Sequence, residues 1–231
     1  VTGRGRRPRT EAGHRRRTLL ILVVVWAAHL AAQLGDVAVL AGFTQTLAMP
    51  ALAAVLWTST SSPRGPLVRL ALGALGLSWL GDSAPRLAPE SLSFLVMVAF
   101  FLGAQVVYAL AFWPYRHRCL LTRPVLATPY LLAAAAIVLV CAPSAGVLLP
   151  AIAVYSAAIV MMAVLASGLG RLGTVGGAVF VVSDSLIALD VFGVLTLPAQ
   201  GFWVMITYLL AQLLLMLAVR GAAAEDRIPR G

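Results

Sequence analysis

The stretch Leu92-Ser93-Phe94-Leu95-Val96-Met97-Val98-Ala99-Phe100-Phe101-Leu102-Gly103-Ala104-Gln105-Val106-Val107-Tyr108-Ala109-Leu110-Ala111-Phe112-Trp113 runs for 22 residues without one charged side chain. As an α-helix it measures about 33 Å, enough to cross the roughly 30 Å hydrocarbon core of a bilayer. It is not alone. Apolar runs bounded by Gly, Pro and Arg recur at 18–34, 42–58, 67–82, 92–113, 124–142, 146–165, 174–193 and 199–219. Hydrophobic residues make up 61% of the 231 and charged residues 11%, where a soluble domain carries about 25% charge. The expected fold is all-α: a polytopic membrane bundle of eight transmembrane helices over 18–220. A disordered arginine-rich tail, 1–17, is expected before it and a second tail, 221–231, after it.

The net charge of +9 does not imply nucleic acid, because the basic residues are not spread over one face. Seven arginines fall in the first seventeen residues: Arg4, Arg6, Arg7, Arg9, Arg15, Arg16 and Arg17. Such a segment directs topology and meets anionic lipid. Counting spans, this tail falls on one side with Arg64, Arg69, Arg116, Arg118, Arg123, Arg171, Arg220, Arg227 and Arg230, and only Arg86 on the other. Arginine-rich loops stay in the cytoplasm, so both termini are expected there, in a multi-pass protein of the cell membrane. An alternative for the first run is a signal peptide, given the small residues of Ala27-Ala28-His29-Leu30-Ala31-Ala32. The chain has no lysine, which excludes Schiff-base and lysine-nucleophile chemistry. Cys119 and Cys141 sit at opposite ends of one expected helix, about 30 Å apart, too far for a disulfide.

Against this apolar background three carboxyls stand out, Asp82, Asp184 and Asp190, in or at the ends of spans in a chain with eight acidic residues. Inserting a carboxylate at mid-membrane costs roughly 2.5–3.5 kcal/mol, so such groups face an interior cavity and serve a function. Apolar surroundings disfavour the charged form, and a protonated carboxyl in a dry cavity is a general acid. Other polar groups in the spans are His29, Gln45, Gln105, Tyr108, Tyr155, Tyr208 and Gln212. Gln105 and Tyr108 are three apart, Tyr208 and Gln212 four apart, so each pair shares a helix face. They serve either as interhelical hydrogen bonds or as the lining of a polar cavity.

Short matches offset by about 100 residues suggest a duplication: Met49-Pro50-Ala51-Leu52-Ala53 with Leu149-Pro150-Ala151-Ile152-Ala153, Leu80-Gly81-Asp82-Ser83 with Val182-Ser183-Asp184-Ser185, and Gly103-Ala104-Gln105 with Leu210-Ala211-Gln212. Two four-helix repeats of the same orientation would result, with Asp82 and Asp184 at equivalent positions across a central cavity.

Five short motifs, in order along the chain, resemble those of the YhhN, or lysoplasmalogenase-like, family of eight-helix membrane proteins. They are Thr44-Gln45-Thr46-Leu47-Ala48-Met49-Pro50, Ser78-Trp79-Leu80-Gly81-Asp82, Phe101-Leu102-Gly103-Ala104-Gln105-Val106-Val107-Tyr108, Phe180-Val181-Val182-Ser183-Asp184 and Tyr208-Leu209-Leu210-Ala211-Gln212. Gln45 stands where the family has Lys, and Gln105 where it has His. The resemblance implies hydrolysis of the vinyl ether bond of a lysoplasmalogen, a lysophospholipid, to a fatty aldehyde and a glycerophospho-alcohol. Asp82 and Asp184 would then be the catalytic carboxyls, one acid and one ionised partner, in either order. Gln45, Gln105, Tyr108, Tyr155, Ser183, Tyr208 and Gln212 are candidates for holding substrate or water. Asp190, six residues past Asp184 and about 120° around the helix, is a candidate for the cavity mouth.

Other classes fare less well. His14 lies in the tail and His117 in a loop, leaving His29 as the only histidine in a span. That is too few for a zinc hydrolase, and no G-x-S-x-G surrounds a serine. No metal or cofactor is expected. Gly170-Arg171-Leu172-Gly173 and Gly176-Gly177 read as a turn and as close helix packing rather than as a phosphate loop. A proton-coupled transporter or a lipid-binding protein is the other class that buried carboxyls admit.

Overall fold

The computed structural model of the chain describes residues 7–227. Among these, eight α-helices follow in chain order: α1 Arg7–Leu34, α2 Ala38–Ser59, α3 Pro66–Ser83, α4 Glu90–Phe112, α5 Pro124–Ala145, α6 Leu149–Ala166, α7 Arg171–Val191 and α8 Gln200–Glu225. No strand occurs among the described residues. Six segments are long and apolar enough to cross a membrane, with Val125–Leu169, which contains α5 and α6, counting as one of 45 residues. That run is broken at Gly146, whose φ of +50° allows a turn that other residues resist. The helix α3 is not among the six, since its 18 residues carry both Arg69 and Asp82.

Two boundaries differ from expectation by more than four residues. Residues 7–17 of the expected tail are helical, in continuity with α1. The helix α8 runs on through Ala222-Ala223-Ala224-Glu225 into the expected C-terminal tail, because alanine and glutamate favour helix strongly even beyond an apolar span. Arg4, Arg6 and Arg230 lie outside the described residues.

Packing runs around the bundle. The most extensive contacts are α7 with α8, α3 with α4 and α1 with α2, followed by α2 with α3, α4 with α6 and α6 with α7. The helix α8 closes the ring by touching α1, α2 and α3, while α5 rests on α6 and α7. Leu52, Leu75, Met162, Leu165, Leu209 and Leu215 fill the interior. The outward faces are apolar too: Leu20, Ile21, Val23 and Val24 of α1 and Leu131, Leu132 and Leu139 of α5 are 56–72% exposed. That is the composition of a surface turned to acyl chains.

The bundle has two chemically distinct ends. At one, Arg227 donates to the carbonyls of Ser61 and Pro63, and Tyr115 donates to Asp226, joining the α2–α3 loop and the segment after α4 to the end of α8. At the other, the 3-10 turn Ala84–Leu87 brings Arg86 onto the start of α2, near the last turns of α7 and the first turn of α8. The repeat matches do not fall at equivalent positions within their helices. Pro50 lies inside α2 but Pro150 in the first turn of α6. Asp82 is in the last turn of α3, whereas Asp184 lies about two turns before the end of α7.

Candidate active site

Seven helices, all but α5, each send a side chain toward one region near the Arg86 end, and small residues set how closely they approach. On α3, a Cβ at Gly81 would stand 3.0 Å from the ring of Phe101 on α4, closer than ordinary contact allows. Glycine therefore lets that ring lie against the backbone beside Asp82. Phe101 meets Tyr208 of α8 edge-on, with ring centroids 5.7 Å apart at 89°, and Phe180 of α7 does the same from another direction, at 5.7 Å and 88°. Edge-to-face contacts of this kind fix a ring's plane. The plane so fixed aims the Tyr208 hydroxyl at Asp82, where it donates to Oδ2 at 3.1 Å.

The other oxygen of Asp82 is engaged from α2. Gln45 Nε2 donates to Oδ1 at 3.2 Å. Gln45 in turn accepts from Arg86 Nη2 at 2.5 Å through Oε1, which settles which way its amide points. Arg86 Nη1 also donates to Thr46 Oγ1 at 3.2 Å. The guanidinium lies over Gly42, whose Cβ, if present, would be 3.8 Å from Arg86 Nε. A chain Arg86–Gln45–Asp82–Tyr208 thus links α2, α3 and α8. Asp82 is buried, at 7% exposure, with both carboxyl oxygens hydrogen-bonded.

Asp184 on α7 is held differently. It accepts from the Tyr155 hydroxyl of α6 and is half-buried. The two helices are brought together lower down, where a Cβ at Gly173 would stand 2.0 Å from the carbonyl oxygen of Ala166 and one at Gly177 would stand 2.8 Å from Ala163 Cα. Gly176 meets Leu214 and Leu215 of α8 at 3.1 Å in the same sense. The Gly-rich segment is therefore the turn and packing surface its sequence suggests, with φ of +90° at Gly170.

Asp82 and Asp184 line one chamber of about 460 Å³, together with Gln45, Arg86, Asp190 and Tyr208. A narrow apolar slot of about 70 Å³ adjoins it, running between α4, α5, α6 and α7 past Phe94, Ile137, Ile152, Ile159 and Phe192. Met97, Phe101, Asp184 and Ile187 belong to both. Asp184 therefore sits in the wall between a polar chamber and a greasy channel. Asp190 lines the chamber and accepts from Thr196 Oγ1 at 2.5 Å.

The remaining candidates lie elsewhere. Tyr108 donates to Gln212 Oε1 at 2.7 Å, and Gln212 Nε2 donates to Ser78 Oγ at 3.1 Å. This closed network ties α3, α4 and α8 together and lines neither cavity. Ser183 Oγ donates to the Val204 carbonyl at 3.1 Å, joining α7 to α8. Gln105 is fully buried with neither amide atom in a well-formed hydrogen bond, beside Tyr155. His29 Nδ1 lies 3.0 Å from Thr44 Oγ1 and ties α1 to α2, away from the carboxyls. Cys119 and Cys141 are free and buried. No cluster of three or more metal-ligating side chains occurs among the described residues.

Arg86, which in the sequence serves only to orient the chain, lines the chamber, as do Gln33, Gln200 and Gly201, which no motif in the sequence marks. The four-residue spacing of Arg86 from Asp82 was the available signal. For Gly201 there was none, since its role appears only in three dimensions: a Cβ there would stand 2.4 Å from Gln33 Oε1.

No curated protein and no solved structure matches the chain. Residues 40–219 match the YhhN family, a region that takes in α3 to α7 whole with most of α2 and α8, and every chamber residue except Gln33. The chain accordingly belongs to the YhhN family.

Proposed function

We propose that this chain is an integral membrane hydrolase that cleaves the vinyl ether bond of a lysoplasmalogen, with Asp82 and Asp184 as its catalytic pair. The observation that carries the reading is that both carboxyls line a single chamber which opens at Asp184 onto an apolar slot. A single-chain lipid places its chain in the slot and its polar end in the chamber, bringing the bond between them against Asp184.

The chemistry divides naturally between the two. Asp82 accepts from an amide and a hydroxyl, one on each oxygen, an arrangement suited to a carboxylate. Asp184 has one donor, Tyr155, and apolar neighbours, which suit the acid. Asp184 gives its proton to the outer vinyl carbon, and the oxygen lone pair forms an oxocarbenium ion that the Asp82 carboxylate stabilises. Water adds to the carbon bound to oxygen and returns a proton to Asp184, leaving a hemiacetal. Its collapse breaks the carbon–oxygen bond, releasing aldehyde and alcohol, so one water is consumed and no proton is gained or lost. The two roles parallel the carboxyl pair of glycosidases.

In this reading all eight helices span the cell membrane, α3 sheltered by its neighbours, with both termini in the cytoplasm and the chamber toward the opposite face. The test is release of fatty aldehyde from lysoplasmalogen by purified protein, beside alkyl-ether and ester lysolipids. Asp82→Asn and Asp184→Asn are expected to abolish release while remaining folded. Full turnover in both variants refutes the assignment.

A proton-coupled carrier is the second reading, favoured by a separate cavity of about 480 Å³ at the opposite end, lined by Tyr115, Arg220 and Arg227. Between the two cavities lies the buried layer of Ser78, Tyr108 and Gln212. Uptake into vesicles that follows a pH gradient, without lipid cleavage, supports that reading instead.

A further inference from the structure

Of the residues lining the chamber, Arg86 is the only basic one, against three carboxyls, Asp82, Asp184 and Asp190. Its two hydrogen bonds both go to neutral acceptors, the Gln45 amide oxygen and the Thr46 hydroxyl. A guanidinium has five N–H donors in a planar fork matched to carboxylate and phosphate oxygens. The side chain lines the chamber and is exposed rather than sealed in the bundle, so its remaining donors can meet a ligand. Its position is nonetheless fixed, because two hydrogen bonds and the bare backbone at Gly42 seat it on one face of α2.

We propose that Arg86 is the specificity-determining residue of the chamber, holding a phosphate group of the ligand and thereby setting how deep the ligand sits. This rests on the lipid-hydrolase reading above and names what selects its substrate. The Asp82 carboxylate repels an anion from the depth of the chamber, which leaves Arg86 as the favourable seat for a phosphate. From that seat a single glutamine amide leads to Asp82. Anchoring the phosphate at Arg86 and the chain in the slot beside Asp184 fixes both ends of the ligand, which is how remote binding contacts orient a reacting bond.

The experiment measures binding to the full-length protein in neutral-lipid nanodiscs with three ligands. They are an ester lysophospholipid, the monoacylglycerol of the same chain length, and glycerol 3-phosphate. None contains a vinyl ether, so failure of the cleavage reaction does not affect the result. In the unaltered protein the lysophospholipid is expected to bind about tenfold more tightly than the monoacylglycerol, the scale of one charge-assisted contact. Arg86→Ala and Arg86→Gln should erase that margin while leaving monoacylglycerol affinity within about twofold, which also certifies the fold. Arg86→Lys, keeping the charge, should retain part of the margin. Raising the salt concentration should narrow it in the unaltered protein, a check that needs no variant.

Displacement of the lysophospholipid by glycerol 3-phosphate alone, with no displacement by monoacylglycerol, would show a free-phosphate site and overturn the lipid half of the proposal. Equal weakening of lysophospholipid and monoacylglycerol in Arg86→Ala and Arg86→Gln would reduce Arg86 to a support for Gln45. An unaltered protein that binds both equally, at low and high salt, overturns the proposal outright.

Discussion

Replacing Gly177 by alanine puts a methyl group where α6 and α7 are nearly in backbone contact. The new Cβ would stand 2.8 Å from Ala163 Cα and 3.0 Å from both Ala163 Cβ and its carbonyl oxygen. Carbon atoms rest about 3.5–4.0 Å apart, so the helices must part locally by roughly 1 Å. Overpacking of this kind costs about 1–3 kcal/mol. Alanine returns up to about 1 kcal/mol over glycine inside a helix, leaving a net loss near 1 kcal/mol. Gly76, exposed on α3 with nothing within 4 Å of its would-be Cβ, supplies the control. There the same substitution has only the helical gain. Thermal unfolding in one detergent should place Gly177→Ala about 2–4 °C below the parent and Gly76→Ala slightly above it, given about 2–4 °C per kcal/mol at this chain size. Asp184 is about two turns along the same face of α7, so parted helices also loosen the Tyr155–Asp184 contact. Turnover should fall in Gly177→Ala and not in Gly76→Ala. If Gly177→Ala melts at or above Gly76→Ala, the close approach of α6 and α7 is wrong.

Three further outcomes are expected. Tyr208→Phe keeps the ring between Phe101 and Phe180 but removes the donor to Asp82. A lost bond to a charged group is about 1.5–3 kcal/mol, so the melting temperature should fall by several degrees, and aldehyde release should fall as well wherever Asp82 is left misplaced. Ile159→Phe narrows the slot and should lower kcat/KM for long-chain substrates more than for short ones, read by a chain-length series. Gln105→Leu removes a buried amide without well-formed partners. It should leave the melting temperature unchanged or raise it, since an unsatisfied amide costs about 1–3 kcal/mol; a clear fall would mean that the amide is satisfied by water.

The helices were legible because each is an apolar run closed by a residue that disfavours continuation. Gly146 and Gly170 mark breaks at positive φ, and Pro66 and Pro124 stand at helix starts, where the missing N–H costs nothing. The ends of α1 and α8 were not legible, because the segments beyond the apolar cores are polar yet helix-forming, and hydropathy alone cannot mark where helix stops. Asp82 and Asp184 stood out by their rarity, and the same logic reached Gln45, Tyr155 and Tyr208. It could not separate these from Tyr108, Ser183 and Gln212, which are likewise polar residues within apolar helices but point into closed contacts between helices. Facing is set by packing, and here by Gly81, Gly173 and Gly177, whose role is the absence of a side chain. Arg86 escaped because its span-counting role, one cation on the sparse side, already explained it.

Because Asp184 stands in the partition between a compartment lined by polar side chains and one lined by apolar ones, a molecule severed there would be sorted as it is severed. In the proposed reaction the oily fragment would already lie among the apolar side chains of the slot, and the hydrophilic fragment among the polar side chains of the chamber. Under the proposed cleavage neither fragment has to cross the other's surroundings to leave, so the exits do not compete and the aldehyde would stay on the apolar side.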